Sequence, residues 1–249
     1  MEGYRLEGYH SQEAFFQTHI TRRYAFYDRF ICQHLSKEEI ALSVASGRCA
    51  NELLLLSHGY NIVCSDLAPV NLKETISLFS DFRFQELDIL DKPSPTSFDS
   101  IIALGLIYLF DEKRLVTFFE NISESLKTGG HLILDGAGPP DNFFTFLLHG
   151  LVLRYEIRLL ITWRRLKNRE GLAFVKKHHG FLRTDREIIE AAASAGLIFL
   201  DQCSYDFLTE FRRSYLFSRF TKDSGLEKLF ERLGRFIPHV RMFYFQKAV

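Results

Sequence analysis

The residues best suited to bind a ligand each follow a short apolar run of the sequence. The first is a turn of small residues, Ala45-Ser46-Gly47, which opens a helical stretch whose free backbone N–H groups could hold a carboxylate or a phosphate. Asp66 follows the second run, where a carboxylate can accept both hydrogen bonds of a ribose diol. Asp88, beside Ile89, follows the third run and could accept a hydrogen bond from an exocyclic amine. Each residue alone reads equally well as a turn, a helix cap or a surface acid, but the series indicates a ligand site.

The apolar runs are predicted strands, and helical stretches separate them. This alternation is typical of βαβ units and of a parallel sheet covered on both faces, where ligands lie beyond the carboxyl ends of the strands. Thr184 and Glu187 form a capping box that predicts the start of a late helix. The predicted strands are 41–45, 61–65, 82–85, 100–104, 131–135, 197–200 and 242–246, and the predicted helices are 11–35, 51–57, 70–78, 112–126 and 184–195.

The sequence predicts one domain over residues 1–249, with three helical additions. Residues 1–38 form an N-terminal helical segment, because apolar residues recur there at three- and four-residue steps. The regular alternation stops after residue 135, which predicts a cap insertion at 137–183 and a second helical insertion at 207–236.

Composition excludes several classes of protein. Of the 249 residues, 47% are hydrophobic and 25% charged, which excludes a disordered chain. Lys+Arg and Asp+Glu both number 31, so no net charge favours nucleic acid as a partner. The start of the chain lacks a secretory signal, and none of the four cysteines belongs to a C-x-x-C pair or a neighbouring histidine cluster. We therefore expect reduced cysteines, a cytoplasmic location and no metal site.

Five motifs of the chain resemble those of the class I S-adenosylmethionine-dependent methyltransferases. They lie at 41–47, 62–67, 86–89, 97–108 and 125–134, and the last contains the Gly129-Gly130 turn before the fifth predicted strand. The resemblance covers about the first 135 residues, and the late strands fit that family's closing hairpin. It implies an α/β fold with a doubly wound, seven-stranded, mostly parallel Rossmann-like sheet and helical cap insertions.

The resemblance also implies a role for each matching residue in binding S-adenosylmethionine, whose product is S-adenosylhomocysteine. The backbone of Ala45, Ser46 and Gly47 would cradle the methionine part, and Asp66 would hold the ribose hydroxyls. Leu67 would pack on adenine, and Asp88 with Ile89 would bind the adenine edge. Ala103, Leu104 and Gly105 would flank the sulfonium.

The first motif departs from the family's pattern of one acid and three glycines. Ser43 stands at the position of the acid, which removes one ordering contact near the amino-acid end of the cofactor. Ala45 and Cys49 stand at glycine positions, and alanine is tolerated there if its backbone φ is negative. These departures favour an alternative function, that of a non-catalytic methyltransferase-like binding protein.

Three residues are candidates for catalysis, although methyl transfer needs little beyond positioning and, for a poor nucleophile, a base. Tyr108 follows the fourth predicted strand, where it faces the acceptor or packs the top of the sheet. His178 and His179 lie in a basic loop and are either a base or part of a solvated turn.

The acceptor side is predicted from aromatic and basic residues. Tyr24 and Tyr27 lie on the N-terminal helix of residues 1–38, which the resemblance implies is a lid over the cofactor, and their spacing fits core packing equally well. The segment 142–165 is apolar, and its Arg154 and Arg158 share one helical face. This segment predicts a cap over a small, partly apolar molecule; the alternatives are membrane contact, a dimer face or packing against the second insertion.

These observations together predict a methyltransferase that acts on a small, partly apolar acceptor. A nicotinamide-dependent dehydrogenase is disfavoured because only Gly47 matches a G-x-G-x-x-G pattern. Nucleic-acid and protein acceptors are disfavoured because the charges balance and no Asn-Pro-Pro motif follows the fourth strand.

Overall fold

A seven-stranded sheet dominates the computed structural model, which describes residues 16, 22–47, 49–67, 79, 81–145, 159, 163, 180–206 and 238–249. The strands follow the spatial order β3-β2-β1-β4-β5-β7-β6. Their bounds are β1 Ile40–Val44, β2 Asn61–Asp66, β3 Arg83–Glu86, β4 Phe98–Ala103, β5 Leu126–Ala137, β6 Leu197–Asp206 and β7 Pro238–Lys247.

The five strands from β3 to β5 run parallel, and β1 lies between β2 and β4. The sheet is mostly parallel with one antiparallel hairpin. The N–H of Ala248, just after β7, donates to the carbonyl of Gly196, just before β6, so these two strands run in opposite directions. Strands β2 and β3 lie on one side of β1, and the strands from β4 onward lie on the other. The carboxyl ends of β1 and β4 therefore mark the point where strand order reverses. The predicted fold class is confirmed.

Helices connect the parallel strands, and local chemistry sets their ends. The Asp111 side chain accepts a hydrogen bond from the Arg114 N–H and so caps the helix that precedes β5. A Cβ atom on Gly130 would lie 2.8 Å from the Asp99 carbonyl oxygen, so only glycine fits at this point of β5. The helices are α1 Arg22–His34, α2 Ala50–Ser57, α3 Glu112–Ser125 and α4 Asp185–Ser194, with a 3₁₀ turn at Ile107–Leu109 and a short helical turn at Phe143–Thr145.

Phenylalanine rings fill the space between α3 and the sheet. Phe118 and Phe119 of α3 are fully buried, and the Phe119 ring lies 6.4 Å from that of Phe245 on β7. The ring of Phe199 on β6 lies 5.8 Å from the same Phe245 ring. These contacts explain part of the high phenylalanine content of the chain, because such rings bury a large apolar area.

The chain divides into two compact units. One comprises Met1–Asp135, Ile189–Cys203 and Met242–Val249, and the other comprises Gly136–Ile188 and Ser204–Arg241. The second unit contains a buried guanidinium: Arg241 pairs with Asp185 and donates to the carbonyl oxygens of Ala137 and Arg183. These partners satisfy a charge that would otherwise be costly to bury.

The predicted elements agree with the structure wherever it describes them. The Thr184–Glu187 capping box is confirmed, since the Glu187 N–H donates to the Thr184 hydroxyl and the Thr184 N–H donates to the Glu187 carboxylate. Strands β5, β6 and β7 are longer than predicted. Most of the segments 1–38, 137–183 and 207–236, and the helix predicted at 70–78, lie outside the described residues, so the caps stay predictions. Within the described part of the chain, no helix has both the length and the apolar character needed to cross a membrane.

Candidate functional site

The turn after β1 is held against the end of β2 by three hydrogen bonds. The backbone N–H of Ser46 and its hydroxyl both donate to the Ser65 carbonyl oxygen, at 2.9 and 3.0 Å. The N–H of Gly47 donates to a carboxylate oxygen of Asp66, at 2.8 Å. The small-residue turn and the predicted ribose acid therefore meet at the same edge of the sheet, as the sequence predicts.

The Asp66 carboxylate has capacity for a further ligand. One oxygen accepts from Gly47 and the other from the Leu67 N–H at 2.7 Å. An ionised carboxylate offers about four lone-pair positions, so about two remain. Asp66 is partly exposed, and the neighbouring Leu67 side chain, predicted to pack on adenine, is 62% exposed. An exposed leucine beside an accessible acid suits a ligand with an apolar ring and a diol.

Two positions of the turn carry backbone strain. Ala45 and Cys49 both have φ of +53°, in the left-handed region that favours glycine. The condition for tolerating alanine at position 45, a negative φ, is therefore not met. The chain keeps the conformation of the glycine-rich turn without its glycines, at a cost of about 1–2 kcal/mol for each side chain.

A buried carboxyl group lies behind the turn. Ser43, at the position where the resemblance places an acid, donates its hydroxyl to the Glu52 carboxyl at 2.7 Å. Both residues are buried, at 1% and 4% exposure. Burial raises the pKa of Glu52, and the bond from Ser43 only partly offsets this effect. A carboxyl group from the first turn of α2 therefore lies beside the strand position where the resemblance places an acid.

The adjacent residue, Asn51, has a side-chain amide without a partner. Asn51 is 2% exposed, and within the described structure neither its Nδ2 nor its Oδ1 atom makes a hydrogen bond. Burying an amide in this way is costly, and such groups are rare in folded proteins. Because Asn51 follows the turn directly, at the N-terminal end of α2, its amide is a candidate to bind a polar ligand group there.

A second buried acid links the loop after β4 to helix α1. One oxygen of Asp135, at the end of β5, accepts from the Gly105 N–H, and the other accepts from the Tyr27 hydroxyl at 2.5 Å. Asp135 is 4% exposed and Tyr27 is 3% exposed. The ring of Tyr24 packs edge-on against that of Tyr27, with centroids 6.3 Å apart. Asp135 therefore joins the loop predicted to flank the sulfonium with one of the tyrosines predicted for the acceptor.

The remaining predicted cofactor residues extend along the same edge. Ala103 is fully buried and pairs with Val44, which places the loop of Leu104 and Gly105 beside the turn after β1. Asp88 is exposed, and its carboxylate accepts from the Leu90 N–H, while the Ile89 side chain is 95% buried. Asp88 also lines an open groove of about 520 Å³, together with residues at the start of α3.

The catalytic and acceptor predictions are only partly covered by the structure. Tyr108 lies in the 3₁₀ turn after β4 and is 38% exposed, so part of this residue is accessible. His178, His179, Arg154 and Arg158 lie outside the described residues. These assignments stay predictions.

Sequence reasoning missed the roles of three residues, namely Glu52, Asn51 and Asp135. Glu52 and Asn51 are polar residues that precede a run of four leucines, and Asp135 ends a run of apolar residues in β5. The signal available in the sequence was a charged or amide residue within or beside an apolar run. Such a residue is rarely buried unless it has a hydrogen-bond partner or a functional role.

Residues 42–134 match the family model of a methyltransferase domain. Among solved structures, an S-adenosylmethionine-dependent methyltransferase from Methanosarcina mazei has a TM-score of 0.57 at 18% identity, over 88% of this chain and 97% of that one. The geranyl diphosphate C-methyltransferase from Streptomyces coelicolor, crystallised with geranyl diphosphate and S-adenosylhomocysteine, has a TM-score of 0.55 at 14% identity, over 90% and 80% of the two chains.

A third similar structure is the 1,6-didemethyltoxoflavin-N1-methyltransferase from Burkholderia thailandensis. It has a TM-score of 0.59 at 12% identity, over 92% of this chain and 79% of that one. No curated protein sequence is similar enough to count as a relative. The structural matches show that the fold is shared.

Replacing Ala45 with glycine should stabilise the protein. Ala45→Gly removes the side chain from a residue with φ of +53°, so we expect the free energy of unfolding in urea to rise by about 1 kcal/mol. Ala191→Gly, in the interior of α4, is the control and should lower it by about 1 kcal/mol. A loss of stability in Ala45→Gly would contradict the assigned backbone conformation.

Glu52→Gln should change how stability depends on pH. Burial raises the pKa of Glu52, so the unfolded chain ionises first, and wild type should lose stability relative to Glu52→Gln as pH rises above the ordinary pKa of 4.5. Glu187 is the opposite case, because its bonds with Thr184 lower its pKa. Wild type should therefore lose stability relative to Glu187→Gln as pH falls through and below 4.5. Urea titrations at a series of pH values measure both trends. If both stability differences changed in the same direction with pH, the opposite pKa shifts assigned to Glu52 and Glu187 would be contradicted.

Proposed function

We propose that this chain is a class I S-adenosylmethionine-dependent methyltransferase and that it transfers a methyl group to a small, partly apolar acceptor. The family's methyl donor is S-adenosylmethionine. The observation that carries the proposal is the bond between the Gly47 N–H and the Asp66 carboxylate. It joins the turn after β1 to the acid after β2, at the edge where a doubly wound sheet binds its ligand.

The residues present fit the cofactor. The remaining lone pairs of Asp66 would accept the two ribose hydroxyls, and the exposed Leu67 side chain would cover one face of adenine. The unpartnered amide of Asn51 would bond the amino-acid end, next to the backbone of the turn. Glu52 supplies from α2 the buried carboxyl group that the family's first motif places on the strand.

Catalysis in this proposal depends mainly on position. S-adenosylmethionine, when bound, supplies a methyl group on a sulfonium, which needs only an in-line nucleophile at close range. Asp135 is a positioning residue, because it fixes Gly105 and Tyr27 relative to each other. Tyr108, His178 and His179 remain the candidates for a base if the acceptor needs one.

The acceptor class rests on the aromatic residues near this edge. On α1, the Tyr24 ring packs edge-on against the buried Tyr27 ring, next to Asp135, and an aromatic pair of this kind suits a molecule with apolar surface. The similar enzymes from Streptomyces coelicolor and Burkholderia thailandensis have geranyl diphosphate and 1,6-didemethyltoxoflavin as bound molecules. Arg154 and Arg158 are proposed to contact an anionic group of the acceptor. The four free cysteines fit a reducing compartment, so the proposal places the protein in the cytoplasm.

Asp66→Ala should weaken binding of S-adenosylhomocysteine, measured by equilibrium dialysis. Hydrogen bonds to a charged group contribute about 1.5–3 kcal/mol, so we expect the dissociation constant to rise roughly 10- to 100-fold. Glu124→Ala removes an exposed acid near the end of α3 and is the control, with unchanged affinity. Equal affinities for wild type and Asp66→Ala would show that the ribose site is elsewhere.

The same experiment on Asn51→Leu separates binding from stability. Leucine removes an unpartnered buried amide, so the free energy of unfolding should stay the same or rise, while affinity for S-adenosylhomocysteine falls. Unchanged affinity would exclude Asn51 from the ligand site.

Transfer of radiolabelled methyl from S-adenosylmethionine to a panel of small molecules tests the function. Phenols, aromatic amines and short isoprenoids should accept the label, and small polar amines such as glycine should not. Labelling of the polar molecules alone would contradict the proposed acceptor class. Binding of S-adenosylhomocysteine with no transfer to any acceptor would favour the non-catalytic alternative, which the strained turn and Ser43 also support.

A further inference from the structure

A second cluster of reactive side chains lies away from the turn after β1, where α1 meets the C-terminal end of α2. Asp28 and Cys32 are one helical turn apart on α1, so their side chains share a face. His58 is the C-cap residue of α2, and its N–H bonds to the carbonyl oxygens of Leu54 and Leu55 at 3.1 Å. The backbone therefore holds all three side chains in place from ordered helices.

The two separations that involve the Asp28 carboxylate oxygen are close to those of a tetrahedral metal site. Asp28 Oδ1 lies 3.8 Å from Cys32 Sγ and 3.6 Å from His58 Nδ1, and all three atoms lie within 4.8 Å of one another. Zinc bonds of about 2.0–2.3 Å at tetrahedral angles would separate sulfur from oxygen by about 3.6 Å and nitrogen from oxygen by about 3.4 Å. The observed separations differ from these values by only 0.2 Å.

The chemistry of the three ligands also selects among metals. A thiolate, an imidazole and a carboxylate together suit a borderline-soft ion such as Zn²⁺, whereas Mg²⁺ and Ca²⁺ prefer oxygen alone. The His58 side chain is 46% exposed and that of Asp28 is 19% exposed, so an ion can reach the site from solvent. Three protein ligands leave a fourth position for water.

The neighbouring groups are compatible with a cation. The Lys37 ammonium is already engaged, because it donates to the His58 carbonyl oxygen at 2.6 Å and lies over the Tyr60 ring. The Tyr60 side chain lies close enough to the Cys32 thiol to influence its pKa, and it is an uncharged neighbour. An Asp28 carboxylate and a Cys32 thiolate would balance the two charges of the ion.

We propose that Asp28, Cys32 and His58 bind a divalent transition-metal ion of the Zn²⁺ type. On binding, the Cys32 S–H bond breaks, the sulfur bonds to the metal and the proton passes to solvent. The ion would fasten α1 to the end of α2. The bound ion would also fix the position of Tyr27, which is next to Asp28 in α1 and bonds to Asp135 on the proposed acceptor side.

Spectroscopic titration with Co²⁺ tests this site on the full, untagged chain under reducing conditions. Native protein should take up one Co²⁺ with a sulfur-to-cobalt charge-transfer band, Zn²⁺ should abolish the band, and Zn²⁺ should raise the melting temperature. Cys32→Ser should lose both the band and the thermal shift. His58→Gln, whose exposed side chain can be changed without disturbing the core, should bind Co²⁺ more weakly.

Cys203→Ser is the matched control, since Cys203 is also a partly exposed free thiol but lies on β6. It should keep the band and the thermal shift. Absence of the band in native protein, or its persistence in Cys32→Ser, would overturn the proposal and leave the cluster as a thiol–carboxylate hydrogen bond. Because the readouts are spectral and thermal, they are independent of whether the chain transfers methyl groups.

Discussion

The hydrogen bond between the Gly47 N–H and the Asp66 carboxylate determines much of the candidate site. It requires β1 and β2 to be parallel neighbours, because only then do the turn after one and the acid after the other meet. It also requires the turn to bend sharply toward β2, which the chain achieves with left-handed backbone at Ala45, Gly47 and Cys49. The strained turn and the parallel sheet thus depend on each other through one carboxylate.

Around this bond, the structure buries polar groups that contribute little to folding by themselves. Glu52 is a carboxyl group in an apolar setting, and Asn51 has no partner for its amide. Such groups usually lower stability, and they persist where a ligand or a reaction requires them. Asp135 differs, because Gly105 and Tyr27 satisfy it, and it serves to join two segments of the chain. The pattern is consistent with a site that is completed by its ligand.

The sequence predicts the sheet and the main residues at the edge where the cofactor is proposed to bind, because both depend on local patterns. The alternation of apolar runs and helical stretches locates the strands, and Asp66 and the small-residue turn are recognisable by their place after a strand. The φ of Ala45 could not be read from its residue type, since the turn and its bonds to Ser65 impose it. The pairing of Ser43 with Glu52 and the approach of His58 to Cys32 arise from packing between elements, which spacing along the chain does not reveal. For the same reason the sequence predicts no metal site, whereas the structure brings together three side chains of the kinds that bind metals.

A crystal structure of the protein grown with S-adenosylhomocysteine would test the central claim most directly. The account predicts the nucleoside at the carboxyl ends of β1 and β2, with both ribose hydroxyls on the Asp66 carboxylate and the amino-acid end at the turn beside Asn51. A ligand bound elsewhere, or no bound ligand at millimolar concentration, would contradict it.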